Sequence, residues 1–544
     1  MEDFIFGTLS TDPLRLMYHR AEQSGIQHAY RMKPQDPKPG DEVTLTVETG
    51  PDILVDQLAC YYTTNGDDPR GTRGEAAIGN CLRFELVDIT WDTLVWGYKK
   101  KWAAQLPPQP EGTEVRYIIS GWARDGQEIF ADWPDLKSTV EHAAKHYFDT
   151  RTLPPMKYWG DPSTPRIFSY HVDNFRPPLW AKEAVIYHIF VDRFHPGYGK
   201  KWLQTKNPKK AYGGTIWGVV DQLDYIHSLG ATAIWLSPIF PSPSIHRYDA
   251  TDYYHVTEAL GGDESLRALV NKAHDKGIRI ILDLVCNHIS NQHPYFLEAI
   301  KNPESSYRSW FYFDDEEAIG YRTFFGVRSM PQVNLQNTDA KQWMLDIAQY
   351  WLEEYNVDGY RLDHANGPGP GFWGDFWQTC KKVKPDSITF GEVVEPPYVQ
   401  AQYFGRMDGL LDFQVCEAIR RGVGVGDWTQ GRLESFISAH KDYFKQDFLM
   451  ATFIDNHDMN RFLYIADNDI GKLKRAAEIQ FELPGPPIIY YGTEIGLEQT
   501  ANKSSSVGLE ASRIAMVWDE RQDSDLFSFY QELIKKRKEQ KPWK

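Results

Sequence analysis

The sequence predicts an α/β fold: a (β/α)8 TIM barrel with a small excursion domain after its third strand, preceded by an N-terminal β-sandwich. Three observations carry this prediction. From about residue 180 onward, apolar runs alternate with amphipathic stretches, as βα units around a parallel sheet do. Eight such runs can be read, the number that closes a barrel. The first part of the chain, to about residue 135, instead shows short strand-like runs punctuated by turn residues, the pattern of a sandwich. At 544 residues the chain exceeds one ordinary domain, and two or three are expected.

In the sandwich the clearest strands are Val43 to Val47 in DEVTLTVE, Leu58 to Tyr62, and Val115 to Ile119 in EVRYIIS. The proline-bearing stretch TLPPMKYWGDPSTP reads as a linker, which places the domains at 1–170 and 171–544. The barrel strands are read in AVIYHIFVDRF (184–194), ATAIWLSPIF (231–240), GIRIILDLVCNH (277–288), VDGYRLDHA (357–365), SITFGEVV (387–394), GLLDFQV (409–415), FLMATFIDNHD (448–458) and PPIIYYGTEIG (486–496). Between them, TDAKQWMLDIAQYWLEEYNV repeats Trp343, Ile347, Tyr350, Trp351 and Tyr355 at helical spacing, which assigns these rings to barrel packing. The third connection is too long for a simple crossover. Its roughly fifty residues, 289–337, include NQHPYFLEAI and SWFYFDDEEA and read as an excursion beside the active face.

Composition removes several function classes. A formal net charge of −16 opposes binding to phosphate backbones, so nucleic acid is not an expected partner. No run of about 18 apolar residues is present, so no membrane span is expected. Five cysteines lie scattered without CxxC spacing, which argues against a zinc or redox motif and suits a reducing compartment. The acidic start MEDFIFGTLSTDPLRLM lacks the basic and apolar regions of a signal peptide, and a cytoplasmic enzyme is expected. The chain is rich in rings, with 18 Trp, 30 Tyr and 28 Phe, whose flat apolar faces pack cores and can also stack on sugars.

In a barrel of this kind the C-terminal strand ends converge on one face, where polar residues become catalytic candidates. Here the third strand ends in Asp283, Asn287 and His288, the fourth carries Arg361 and Asp363, the fifth ends in Glu392, and the seventh ends in Asp455, Asn456, His457 and Asp458. So many charged groups are costly to bury unless they act together. Glycosidic cleavage needs such a set: one carboxylate attacks the anomeric carbon and a protonated carboxyl delivers its proton to the leaving oxygen. Arg361 precedes Asp363 by two residues, so both point to the same side, and the cation is expected to keep Asp363 ionised. Glu392 is expected to hold the proton, raised by the charges of Asp363 and Asp458.

At these residues a resemblance enters. DLVCNH, GYRLDHAN, GEVV and FIDNHD resemble, in order and strand position, the four best-known motifs of the α-amylase family, glycoside hydrolase family 13. GGTIWGVVDQLDYI, MPQVN at 330–334 and GTEIG at 492–496 are similar to its supporting motifs, so the resemblance spans roughly residues 180 to 540. It implies Asp363 as nucleophile, Glu392 as general acid and base, and Asp458 as stabiliser of the transition state. Arg361, His288, His457, His246 and Tyr248 match substrate-binding positions, Tyr248 being the ring under the reacting sugar.

Asn366 and Gly367 stand where ordinary α-amylases carry Lys-His, and with MPQVN this looks like the neopullulanase, cyclomaltodextrinase and maltogenic amylase group, whose usual Glu is here Gly367. The implied activity is hydrolysis of α-1,4 bonds in maltooligosaccharides, cyclodextrins and pullulan. A 4-α-glucanotransferase, an α-glucosidase and an ordinary α-amylase on starch stay open as alternatives. No cofactor is implied; Asn287 matches a frequent calcium-ligand position, where a structural calcium and a loop-fixing amide both remain open. The N-terminal sandwich resembles starch-binding or dimer-forming modules, so a homodimer through it is an expectation, with Trp91, Trp96 and Trp102 read as interface or core. LFSFYQELIKKRKEQ reads as the eighth barrel helix, with the family's C-terminal β-domain absent or trimmed.

Overall fold

The computed structural model describes residues 12–131, 146, 150, 152, 165–205, 207–313, 319–444 and 447–544. Most of the linker stretch TLPPMKYWGDPSTP, residues 1–11 of the acidic start, and DDEEA of SWFYFDDEEA lie outside these residues.

The N-terminal part holds two five-stranded antiparallel sheets. In Val43–Thr49, alternate residues Val43, Leu45 and Val47 point inward, as the two-residue period of a strand requires. They meet Trp102, Tyr117 and Ile119 in one core between the sheets. Strand Phe168–Val172 pairs antiparallel with Thr113–Trp122, Thr113 opposite Val172, so the sandwich sheet itself runs past residue 170. The three tryptophans divide. Trp102 is buried and donates to Thr49 Oγ1 at 3.2 Å, whereas Trp91 and Trp96 are exposed, Trp96 by 77%, and meet edge to face at 5.4 Å.

Eight parallel strands form the barrel: Ile186–Ile189, Ala233–Leu236, Arg279–Val285, Gly359–Asp363, Ile388–Gly391, Gly409–Leu411, Leu449–Ala451 and Ile488–Tyr490. Each lies inside its sequence-read segment. The first pairs with both the second and the eighth. A parallel bridge between Thr452 and Pro487 joins the seventh to the eighth and closes the ring. Ile186, Trp235, Ile281, Phe390, Leu411 and Ile488 fill its interior, while a larger apolar layer lies between strands and outer helices.

Two features set the fourth strand, which carries the site. Gly359 has φ +144°, and a Cβ there would stand 2.0 Å from the Ile388 carbonyl oxygen, so only glycine lets the fourth and fifth strands approach. Just before it, buried Asp358 binds His274 at 2.6 Å, Arg279 at 2.8 Å, Lys384 at 3.0 Å and the Ile280 N–H at 2.8 Å. These contacts tie the bottoms of the third, fourth and fifth strands together.

The excursion is small and docks on the barrel rather than forming its own core. Its helix Pro294–Lys301 brings Phe296 edge to face with Phe311 and Tyr321. The MPQVN segment runs back to the third strand, with Val333 N donating to the Asn287 carbonyl at 2.9 Å. Helix Ser524–Gln540 closes the barrel's outer ring against helix Ile470–Glu482. Among the described residues no helix is long and apolar enough to cross a membrane.

Candidate active site

The site begins with register. Asp283 on the third strand lies opposite Arg361 on the fourth, and Val285 opposite Asp363. With a two-residue period, Gly359, Arg361 and Asp363 share the inward side. Arg361, 1% exposed, then meets three carboxylates: Nη1 contacts Asp283 Oδ1 at 2.9 Å and Asp363 Oδ1 at 2.7 Å, and Nη2 contacts Glu392 Oε2 at 2.9 Å. The fifth strand delivers Glu392, whose Oε2 also accepts from the His364 N–H at 3.0 Å. Asp283 is further fixed by Tyr248 Oη and Trp235 Nε1, each donating to Oδ2 at 3.1 Å.

This sharing corrects the electrostatic expectation. Arg361 does pull Asp363 toward ionisation, but burial outweighs it, and Glu392 and Asp283 add to burial, so the Asp363 carboxyl is pushed well above the usual range. Three buried carboxylates thus share one guanidinium, and their titrations are coupled through it.

Asp458 is the opposite case. Burial disfavours its charge, yet His457 Nε2 at 3.0 Å and Arg513 Nη2 at 2.8 Å outweigh burial and hold it well below the ordinary carboxylate range. Asn456 Oδ1 accepts from the Asp458 N–H at 2.8 Å and turns the chain so that the carboxylate faces the cavity. The site therefore sets Asp458, held toward its charged form, beside Asp363, pushed toward its protonated form.

A cavity of about 200 Å³ opens over these groups. His246, Tyr248, His288, Asp363, Glu392 and Asp458 line it, while Arg361 and His457 lie buried beneath. All eight residues expected as catalytic or substrate-binding thus meet at one place. The Tyr248 ring stacks on His457 with centroids 5.4 Å apart and planes 1° from parallel. His288 stacks on Phe324 at 4.4 Å, and burial lowers its imidazole to about 3, so it presents a neutral ring.

Several lining residues were not anticipated. Phe324, Phe325, Met330 and Leu509 make an apolar wall, and Arg513 and Glu395 add charge. Phe324 and Met330 sit in the long connection already marked as functional by its length. Arg513 follows the eighth strand and carries no local signal.

Residues 188–524 match the family described as α-amylase, catalytic domain. The chain belongs to that family. α-Amylase 2 of Dictyoglomus thermophilum is 41% identical over 371 residues, covering 68% of this chain and 65% of that protein. A cyclomaltodextrinase of Geobacillus thermopakistaniensis is 33% identical over 391 residues, again covering 68% of this chain and 65% of its own length. The chain thus spans just under two thirds of these curated relatives. Among solved structures, a cyclomaltodextrinase superposes with a TM-score of 0.63 at 25% identity, covering 95% of this chain and 84% of that one.

Within this α-amylase catalytic domain, the Asn287 side chain lies between Gln332 and His288. Its Oδ1 accepts from Gln332 Nε2 at 3.4 Å and its Nδ2 faces His288 Nδ1 at 3.2 Å. Gly367 presses on the same group, since a Cβ there would stand 1.9 Å from Asn287 Oδ1. Among the described residues, the one cluster of three acidic or imidazole side chains spaced for a metal is Glu114, His171 and Asp375, away from Asn287.

Proposed function

We propose that this chain is a retaining α-glucan hydrolase that cleaves α-1,4-glucosidic bonds in maltooligosaccharides and cyclodextrins, and opens pullulan. The observation that carries the reading is the single guanidinium of Arg361 bound to Asp363 at 2.7 Å and to Glu392 at 2.9 Å, with ionised Asp458 facing the same cavity. Two carboxyl groups on one small cation are close together, as in retaining glycosidases, where the separation is about 5–5.5 Å.

In this reading Glu392 is the proton donor. Glu392 gives its proton to the glycosidic oxygen while Asp363 attacks the anomeric carbon, forming a glycosyl ester and releasing the leaving sugar. Glu392 then takes a proton from water, whose oxygen displaces Asp363. Asp458, held charged by His457 and Arg513, binds sugar hydroxyls and stabilises positive charge on the reacting ring. No step uses a metal or cofactor.

The relatives' names support cyclic and linear α-glucans as substrates. We also propose a cytoplasmic location, supported by five free thiols, and a homodimer through the N-terminal domain, supported by exposed Leu86, Val87, Ile89, Trp91 and Trp96 on one hairpin.

Product analysis on maltotriose, β-cyclodextrin, pullulan and starch tests this reading. Glucose and maltose as end products, the first product appearing as the α-anomer by proton NMR, are expected. A first product in the β form would overturn retention. Predominantly elongated products would move the chain to the glucanotransferases.

A further inference from the structure

A second cleft opens at the end of the barrel opposite the catalytic carboxylates. Its volume is about 660 Å³. Thr232 in its wall immediately precedes the second strand and Arg279 opens the third, whereas Asp363 ends the fourth. Two indoles border it: Trp180 ahead of the first strand and Trp543 beyond the last helix. Trp180 Nε1 donates to the Asp386 carbonyl at 2.8 Å, and the Arg279 guanidinium lies 5.3 Å from its ring centroid.

Positive charge gathers here in a chain whose formal net charge is −16. His274 and Arg279 are both held by Asp358, and Arg279 also reaches Asp386 at 3.4 Å. Arg537, Lys538 and Lys541 have no carboxylate partner among the described residues. Arg537, 1% exposed, donates to the carbonyls of Phe481, Leu483, Pro484 and Gly485 and lies 5.2 Å from the Trp543 ring centroid. Burial alone lowers it to about 9. Lys538 Nζ donates to the Gly230 carbonyl at 3.3 Å, and burial alone lowers its ammonium too. Lys541 lines the cleft with its side chain exposed; the acidic lining residue, Glu183, is exposed as well.

The end of helix Ser524–Gln540 brings these groups together. Lys541 stops the helix with φ +51°, a left-handed position more often taken by glycine, and the chain turns so that Trp543 meets Arg537 of the last helical turn. The buried Trp543 Nε1–H has no acceptor among the described residues. Lysines at a helix C-terminus also answer the partial negative charge of that end, so cations alone do not name a ligand. Their convergence with two indoles and an unpaired donor in one cleft does.

We propose that this cleft is a second binding site, for a small phosphate monoester that carries a ring: Lys538 and Lys541 receive the phosphate, and Trp180 and Trp543 receive the ring. A phosphate monoester brings a charge of about −2 and three acceptor oxygens, which suit ammonium groups and an indole N–H. A sugar or a purine offers the apolar face that an indole covers. Sugar phosphates and nucleotides share this chemistry. His274 and Arg279 border the cleft and also hold Asp358, so an occupant adds to the ties beneath the strand that carries Arg361 and Asp363. The site stands apart from the α-glucan chemistry, and its test reads binding alone.

Calorimetric titration and thermal unfolding of the full chain with glucose 6-phosphate and with AMP test the site, with glucose and inorganic phosphate as controls. At least one of the two monoesters is expected to bind once per chain with a Kd below about 1 mM and to raise the unfolding midpoint, as a ligand of the folded state does. The tighter monoester identifies the ring. Glucose and inorganic phosphate, each with only part of the contacts, should bind at least about tenfold more weakly. Lys541→Gln changes an exposed side chain and should leave the far-ultraviolet spectrum intact while weakening the tighter monoester about tenfold. Trp543→Leu should weaken it to a similar degree and leave inorganic phosphate unaffected. Absence of binding by both monoesters would overturn the proposal and leave the lysines as charge partners of the helix end. Inorganic phosphate binding as tightly as the monoesters, or wild-type affinity in both Lys541→Gln and Lys538→Gln, would overturn it equally.

Discussion

Arg513 Nη2 lies 2.8 Å from Asp458 Oδ1, and the same guanidinium donates to the His457 carbonyl at 2.8 Å and to Glu510 at 2.9 Å. Arg513 therefore clamps the motif that carries Asp458 from a segment after the last strand. Replacing it by Met removes one of the cations that hold Asp458 low and leaves Glu510 with Arg193 alone. The expected result is a fall in kcat/KM of about a hundredfold. The acid limb of the pH–activity profile should move to higher pH, because an Asp458 deprived of this cation protonates sooner as pH falls. An unmoved limb would mean that Asp458 does not depend on Arg513 for its charge.

Asp363→Asn and Glu392→Gln preserve volume while deleting the proposed nucleophile and proton donor. Each should lower kcat on maltotriose by at least about a thousandfold, with the far-ultraviolet spectrum unchanged. Activated aryl substrates separate the two. Glu392→Gln should lose less on p-nitrophenyl α-glucoside than on maltotriose, because nitrophenolate leaves without a proton. Asp363→Asn should lose heavily on both. Comparable wild-type turnover in either purified variant would remove that residue from the mechanism.

Asp358 gives a stability prediction with a defined sign. Burial opposes its charge, but His274, Lys384 and the Ile280 N–H outweigh burial and lower it to about 2 from an ordinary value near 3.8. A depressed folded-state value means that the stabilisation is present above pH 4 and is lost as pH falls from about 4 toward 2. The linked contribution at neutral pH is on the order of 2 kcal/mol. Asp358→Asn should lower the urea midpoint at pH 7, and the gap from wild type should narrow toward pH 3. A gap independent of pH would assign the loss to packing instead.

The barrel was legible because its eight strands are apolar runs between amphipathic stretches, and the strand ends were legible because Asp363, Glu392 and Asp458 are anomalous there. What spacing could not reveal was partner sharing. Arg361 two residues before Asp363 reads as a private ion pair, yet strand register also brings Asp283 beside it and the fifth strand brings Glu392. Arg513 was illegible for a different reason: it reaches the site from a loop after the eighth strand, so only the folded chain places it. Phe324 lies between, since the length of its connection marked the region without marking the residue.

Gly367 tests how tightly this site is built. Local geometry explains a glycine there: a Cβ would meet Asn287 Oδ1 at 1.9 Å and His364 Cδ2 at 3.0 Å. Asn287 cannot withdraw freely, because its side chain spans Gln332 and His288 and its carbonyl holds Val333. The His364 ring is packed edge to face against Phe324 at 4.9 Å and Phe325 at 5.4 Å, and its backbone N–H donates to Glu392 Oε2. Gly367→Ala should therefore destabilise the fold by about 1–3 kcal/mol in urea titration, as overpacking does. It should also lower kcat, since a displaced His364 shifts the proton donor. The control is Gly431→Ala, in helix Gln430–Tyr443, where a Cβ meets nothing within 4 Å. Alanine is favoured there by helix propensity and by a less flexible unfolded chain, so stability should hold or rise by up to about 1 kcal/mol. Equal responses at the two glycines would show that Asn287 yields more readily than its contacts imply.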